Sequence, residues 1–380
     1  MLVQRLYHFI KRGLTKIQDF IQLPRKIRKL TDFYELYEIP DPKFIDLCTP
    51  VIKYPPSSNV LQALEKAAVK INYYPNSYSD MPRALLEKIS HTLKVGVENI
   101  LLTNGLNEAI DLITRTFVEE GERVLIPIPT FWQFEIATLR QSAIPVKVNL
   151  LNGDEYEFDE NLMISTAKRG KVKLVWICNP NNPTGIHAEE EKIIKVVKSL
   201  RGLVIVDESY SEICGKSIIS FVPRFKNLIV LRGFSKTYGL AGLRIGYIVA
   251  HPSAIRALIR MKIPFNVNIM AQVAALAALE DESYYRERWE KIRKEREKLK
   301  KKLKDIGLKV FNSETNFVLL KTPKARYISR ELRKRKIYVM EPWGGAIPGL
   351  GNEFLRITVG LPKENGYLIR CLKKILKPCL

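Results

Sequence analysis

The chain has 380 residues, 27% of them charged, and its 62 lysines and arginines outweigh 40 acidic residues to give a net charge of +22. That length supports one large and one small hydrophobic core, and five cysteines without paired or metal spacing exclude a disulfide framework and lead us to expect a reducing cytoplasm and no structural metal. No uninterrupted apolar span long enough for a membrane occurs, and no helix-turn-helix signal, zinc-ligand spacing or RNA-binding aromatic motif accompanies the positive charge, so neither a membrane nor a nucleic acid is an expected partner; the field favours anionic small molecules.

The first segment carries Leu6, Ile10, Leu14, Ile17 and Ile21 at helical spacing among many lysines and arginines. Such a helix suits either an arm on a partner subunit or an anionic membrane surface. Further on, Thr103-Asn104-Gly105-Leu106-Asn107-Glu108 precedes a helical run from Ala109 to Phe117, so the amides of Gly105, Leu106 and Asn107 lie at a helix N-terminus, which attracts a phosphate. Three apolar strands follow, Lys173 to Ile177, Leu203 to Val206 and Leu228 to Leu231, each ending in polar residues. The first runs into Cys178-Asn179-Pro180-Asn181-Asn182-Pro183-Thr184-Gly185, a turn that presents Asn182; the second into Asp207-Glu208-Ser209-Tyr210; the third into Gly233-Phe234-Ser235-Lys236.

Open parallel α/β sheets build ligand sites outside the carboxyl ends of their strands, so these three ends predict one crevice. Within it a lysine among small and apolar residues has its ammonium pKa lowered, which frees an amine to form a Schiff base with an aldehyde. Lys236 is the candidate for that amine. Ser235 as hydroxyl donor and Arg244 as forked cation flank a phosphate. A carboxylate at Asp207 keeps a pyridine nitrogen protonated, and Asn182 and Tyr210 share a phenolic oxygen. Together these residues predict a site for pyridoxal 5'-phosphate.

Past the third strand, Trp289, Ile292, Leu299 and Leu303 form a sparse apolar stripe on an otherwise charged helix, expected to brace a smaller domain. Strands are expected at Lys309 to Phe311, Asn316 to Leu320, Ile337 to Met340 and Leu355 to Val359. Arg356 interrupts the last of these, an odd place for a charge without an anionic partner.

From roughly residue 40 to 378 the chain resembles the fold-type I aminotransferases of classes I and II, in the branch that contains histidinol-phosphate aminotransferase and threonine-phosphate decarboxylase. The resemblance implies an α/β fold with a mostly parallel three-layer large domain at 58–275, a smaller α+β domain at 276–380, and an N-terminal arm and small-domain segment at 1–57. It implies the roles already given to Lys236, Asp207, Asn182, Tyr210, Ser235, Arg244 and the Gly105 to Asn107 turn. It adds Phe131 stacked on the pyridine face, Tyr74 reaching across a homodimer interface to the partner's phosphate, and Arg356 and Tyr54 on the substrate side. The implied activity is transfer of an amino group between an L-amino acid, or histidinol phosphate, and a 2-oxo acid; the alternative is a threonine-phosphate-type decarboxylation.

Three positions depart from the family pattern. Gly233 stands where a Thr or Ser usually contacts the phosphate, Pro50-Val51-Ile52-Lys53 replaces an Asn-Glu-Asn-Pro segment, and Met340 replaces a second arginine. With an apolar residue there, and Trp343 expected to extend the same wall, a broader amino-acid specificity is expected than for histidinol phosphate alone.

Overall fold

A computed structural model describes residues 41, 43–75, 81–152, 155–341 and 347–376. The expected N-terminal arm and Trp343 lie outside the described residues.

The strands are β1 (Ile45–Leu47), β2 (Ile100–Thr103), β3 (Arg123–Ile128), β4 (Ile144–Asn149), the short hairpin β5 (Leu151–Asn152) and β6 (Glu155–Tyr156), β7 (Leu174–Cys178), β8 (Leu203–Asp207), β9 (Leu228–Gly233), β10 (Gly246–Ala250), β11 (Lys309–Val310), β12 (Phe317–Lys321), β13 (Ile337–Val339) and β14 (Phe354–Thr358). Seven of them form one sheet in the order β2-β10-β9-β8-β7-β3-β4. All its pairings are parallel except the two made by β10, which runs against β2 and β9.

The apolar runs of β7, β8 and β9 are continuous because both faces of the sheet are covered. Along them, alternate residues enter opposite cores. Val175, Ile177, Val204, Val206, Leu228 and Val230 pack into one cluster, and Leu174, Trp176, Ile205, Ile229 and Leu231 into the other. The first cluster is closed by the helices Ser58–Ala67, Met81–Leu93, Glu160–Gly170, Glu190–Ser199 and Ile269–Glu280. The second is closed by Leu106–Phe117, Gln133–Arg140 and Pro252–Met261. Three layers result, and local capping sharpens their helix starts: Asp159 Oδ1 accepts from the Leu162 amide at 2.8 Å and Asn268 Oδ1 from the Ala271 amide at 2.8 Å.

The second sheet is antiparallel, in the order β11-β12-β14. The expected strand from Ile337 divides its allegiance. β13 pairs in parallel with β1 near the N-terminus, and only Met340 bridges to Arg356 of β14. That parallel pairing carries the residues after β1 toward the ends of the large sheet. Leu299, Leu303, Val318, Leu320, Leu355 and Ile357 share a separate core with the helices Ala325–Lys334 and Pro362–Leu376.

The charged helix Glu282–Asp305 spans about 36 Å at 1.5 Å per residue and joins the two cores. Its stripe of Trp289, Ile292, Leu299 and Leu303 is buried, together with Tyr285 and Arg296. Trp289 Nε1 donates to Thr237 O at 2.7 Å, and Arg293 donates to Ile213 O at 2.7 Å and Glu212 O at 3.0 Å. A helix that reads as a solvated brace therefore also grips the short helix Ser211–Cys214 after β8 and the turn after β9. Among the described residues no helix is long and apolar enough to cross a membrane.

Two glycines with left-handed backbone separate intrinsic strain from packing. Gly185 has φ +78°, and a β-carbon there would lie 2.3 Å from Ser313 Oγ, whereas Gly121, at φ +77°, has nothing within 4 Å. Gly121→Ala is expected to cost about 1 kcal/mol, and Gly185→Ala roughly 3 kcal/mol because the Ser313 segment must also move. Urea denaturation midpoints of the two variants check this order.

Candidate active site

Parallel registry brings the ends of β7, β8 and β9 level. Cys178 pairs with Asp207 and Asp207 with Leu231, and the ladder continues through Asn179 N to Asp207 O at 2.9 Å and Glu208 N to Leu231 O at 3.0 Å. Beyond these last bonds the sheet has no more interior to fill. Polar side chains placed here face a cleft instead of a core.

Lys236 follows β9 in a turn where the Phe234 amide donates to Ile245 O and the Leu240 amide donates to Phe234 O. Burial and the guanidiniums of Arg356 and Arg244 depress its pKa from 10.5 to about 8, against the opposing pull of Asp207 and Asp46. At pH 7.5 such an amine is neutral in about a quarter of molecules, compared with about one in a thousand for an ordinary lysine. Asp207 is 3% exposed, and burial raises its pKa. Two bonds to Oδ1, from the Ser209 amide at 2.9 Å and Ser209 Oγ at 2.5 Å, and the charge of Lys236 oppose that rise.

Arg356 enters from the other sheet. Its side chain is almost fully buried, donating from Nη1 to Asn182 Oδ1 at 2.6 Å and from Nη2 to Cys48 O at 2.7 Å, with its guanidinium 5.0 Å from the Phe317 ring centre. Nε is buried without a partner. Since the carboxamide oxygen of Asn182 is taken, the group it offers a ligand is its amide N–H. The Cys48 carbonyl is held in place by Asp46, whose Oδ1 accepts from the Cys48 and Thr49 amides at 2.8 and 2.9 Å. Burial works against the ionised Asp46, yet these bonds and Lys53 bring its pKa below the ordinary value.

A second cationic corner lies at the helix Leu106–Phe117. Arg244, in left-handed conformation at φ 58°, donates to Ala241 O at 3.0 Å and approaches Ser235 Oγ at 3.4 Å. Gly105 has φ +75°, and a β-carbon on it would sit 2.6 Å from Arg244 Nη2. The guanidinium thus lies against the first turn of the helix. Glu108, the acidic residue of that turn, is engaged elsewhere: it accepts from the Asn104 amide and from Asn266 Nδ2.

Gly233 has a reason beyond the absent hydroxyl. A β-carbon there would meet Leu106 Cγ at 3.2 Å, and one at Gly246 would meet Leu106 Cδ2 at 2.7 Å. Leu106 occupies the space that a larger residue at 233 requires. Two glycines accommodate it.

Tyr210 is buried edge-on to Phe317 at 5.3 Å, and burial drives its phenol pKa far upward despite the Arg356 charge. Phe131 is half-buried between Trp132 and Phe134, at centroid distances of 5.6 and 5.7 Å. Its loop is locked to the Asn182 turn by Asn181, which donates to Pro129 O at 2.9 Å and Thr184 Oγ1 at 3.0 Å and accepts from Thr130 Oγ1 at 2.8 Å. Asn107 is exposed at the helix start.

Two expected residues stand apart. Tyr74 is 71% exposed and packs on Phe265, with centroids 5.2 Å apart. The charges that bear most on the Tyr54 hydroxyl are Lys291, Glu295, Arg288 and Glu287 of the helix Glu282–Asp305, rather than Arg356 or Lys236. Asp46, Cys48, Asn181 and Ser209 were missed from sequence. Only Ser209 carried a readable signal, its position two residues after an aspartate, where a hydroxyl and amide fold back on a carboxylate.

The family model for aminotransferase class I and II matches residues 42–372. Histidinol-phosphate aminotransferase of Caldanaerobacter subterraneus subsp. tengcongensis is 39% identical over 310 residues, covering 81% of this chain and 86% of that one. Among solved structures, histidinol-phosphate aminotransferase from Clostridium acetobutylicum superposes with a TM-score of 0.80 at 26% identity, over 88% of this chain and 99% of that one. The enzyme of that name from Sinorhizobium meliloti in complex with pyridoxal-5'-phosphate superposes with a TM-score of 0.81 at 24% identity, over 92% and 98%.

The lowered pKa of Lys236 predicts its reactivity. In cofactor-free protein, addition of a soluble aldehyde to Lys236, trapped by borohydride and mapped by mass spectrometry, should reach half its maximal rate near pH 8 and level off above, whereas an ordinary lysine gains rate up to about pH 10.5. Asp207→Asn should shift this midpoint downward. Because the folded pKa lies below the unfolded one, the penalty that Lys236 imposes on the cofactor-free fold is full below pH 8 and is relieved as the pH rises from there toward 10.5.

Proposed function

The chain belongs to the class I and II aminotransferases, which use pyridoxal 5'-phosphate to move amino groups between amino acids and 2-oxo acids, and on that premise we propose that Lys236 is its cofactor lysine. Asp207 serves the pyridine nitrogen, Asn182 and Tyr210 the phenolic oxygen, and Phe131 the ring face. Ser235, Arg244 and the amides of Gly105, Leu106 and Asn107 hold the phosphate. The observation that carries this reading is an amine depressed to about 8 between a buried carboxylate and two guanidiniums.

The residues present fit the group. Gly105 leaves Arg244 room that any β-carbon would fill, so a guanidinium and a helix N-terminus converge on one anion. When bound, the cofactor supplies an electron sink for a carbanion at the substrate's α-carbon. Lys236 Nζ, neutral often enough near pH 7.5, takes and returns the α-proton. Asp207, whose Oδ1 is held by the Ser209 amide and hydroxyl, is the carboxylate placed to serve the pyridine nitrogen. Arg356 orients the substrate's anionic group, while its bonds to Asn182 and Cys48 hold the guanidinium fixed.

The substrate side is apolar next to Arg356. Met340 bridges to Arg356 and packs with Phe311, Leu319, Ile347, Leu350 and Phe354. An amino acid with an aromatic or aliphatic side chain suits that wall, and this supports a broader range than the histidinol phosphate of the relatives' names. Assembly as a homodimer is supported by Tyr74 and its surroundings: Val69, Ile71, Ile263 and Phe265 are also exposed there. Four described cysteines are unpaired, which suits a reducing compartment.

Incubation with a panel of amino donors, following both 2-oxo acid and carbon dioxide, should give 2-oxo acid without carbon dioxide; carbon dioxide release would establish the decarboxylase instead. Phenylalanine and leucine should compete effectively with histidinol phosphate. Strong preference for histidinol phosphate would overturn the inference from Met340. Arg356→Ala should raise KM for amino acids by about 10- to 100-fold, the loss of a charge-assisted hydrogen bond, with the cofactor still bound. Mixing inactive Lys236→Ala with impaired Tyr74→Phe subunits should restore activity if each site takes Tyr74 from its neighbour, and a fully active monomer would refute the shared site.

A further inference from the structure

On the flank of the cleft, three side chains from distant segments meet. His187 follows the Asn182 turn, Cys214 ends the short helix Ser211–Cys214 after Tyr210, and Glu314 lies between β11 and β12. One donor atom from each lies within 4.8 Å of the other two, and all three residues are partly exposed. We propose that His187, Cys214 and Glu314 form a binding site for a divalent transition ion of the zinc class.

The donor set is an imidazole, a thiol and a carboxylate, which suits zinc and not magnesium or calcium, ions that take oxygen ligands. Zinc bonds of about 2.0 to 2.3 Å place tetrahedral donors roughly 3.3 to 3.6 Å apart, so small side-chain rotations convert the present spacing into ligation. Cys214 Sγ donates to Glu314 Oε2 at 2.9 Å, a thiol–carboxylate hydrogen bond that ligation would replace as the two atoms move slightly apart. On binding, the S–H bond breaks, the proton passes to solvent and a metal–thiolate bond forms. Lys216 Nζ lies 3.2 Å from the other oxygen, Glu314 Oε1, and so orients the carboxylate to use Oε2 alone. Partial exposure leaves a fourth position for water.

The backbone holds this arrangement before any ion arrives. Glu314 N donates to Gly185 O at 2.8 Å, and Ser313 fills the space over Gly185. An ion would therefore clip the β11–β12 connection to the two segments that carry Asn182 and Tyr210. No spacing in the sequence announces the site, because each ligand comes from a different part of the chain.

The test uses the full-length, cofactor-loaded protein. Dialysis against Zn2+ should leave close to one ion per chain, protect Cys214 from alkylation as mapped by mass spectrometry, and raise Tm. Co2+ should give visible bands of a tetrahedral thiolate-bound ion, and Mg2+ should do none of this. Cys214→Ser should remove the thiolate signature and weaken Zn2+ binding by at least about tenfold. Glu314→Gln, a change of charge at constant shape, should weaken it while circular dichroism stays unchanged. Equal Zn2+ binding by wild type and both variants, or alkylation of Cys214 unaffected by Zn2+, would overturn the site.

Discussion

A sheet covered on both faces leaves no water for a charged side chain in its interior, and this constraint organises the molecule. β7, β8 and β9 satisfy it by alternating apolar residues into two cores, so their polar groups collect past the last ladder bonds. Asn182, Asp207 and Lys236 are neighbours in space because the strands that carry them run parallel and in register. Arg232, a charge within β9, is paired twice, with Glu208 at 3.0 Å and Glu212 at 2.9 Å. That ion triad begins next to Asp207 in the chain and ties the segment after β8 to β9.

The candidate site is then balanced between opposing charges. Arg356 and Arg244 push the Lys236 amine toward neutrality, and Asp207 and Asp46 pull the other way. None of these four belongs to the same segment as another. Arg356 couples the two sheets most directly, since one guanidinium is bonded to the turn after β7 and to the chain after β1. The parallel pairing of β1 with β13 delivers Cys48 to that guanidinium. The small sheet thus contributes to the cleft through one buried cation and the apolar wall beside it.

Departures from the family pattern acquire a physical sense in three dimensions. Gly233 gives up a hydroxyl and admits Leu106, the apolar residue at the start of the helix beside Arg244. Met340 gives up a cation and joins a cluster with Phe311 and Phe354. Each exchange removes a polar contact and adds apolar packing around an otherwise cationic cleft.

The sequence by itself determined the layered fold and marked the central members of the candidate site. Continuous apolar runs with turn residues after them are local patterns, and Lys236, Asp207, Asn182 and Arg244 stand at fixed offsets from those runs. Arg356 was legible for a related reason, as a charge inside a strand. Only the tertiary structure decided the rest. The Cys48 and Thr237 carbonyls act through backbone atoms that every residue possesses, so no residue type marks them. Asn181 rather than Asn182 locks the Phe131 loop, a distinction between identical side chains that depends on which one faces inward. Tyr54 bears on the long helix, and His187, Cys214 and Glu314 meet only because the β11–β12 connection packs on Gly185. Contacts across such sequence separations follow from how whole layers pack, and no local period or spacing encodes them.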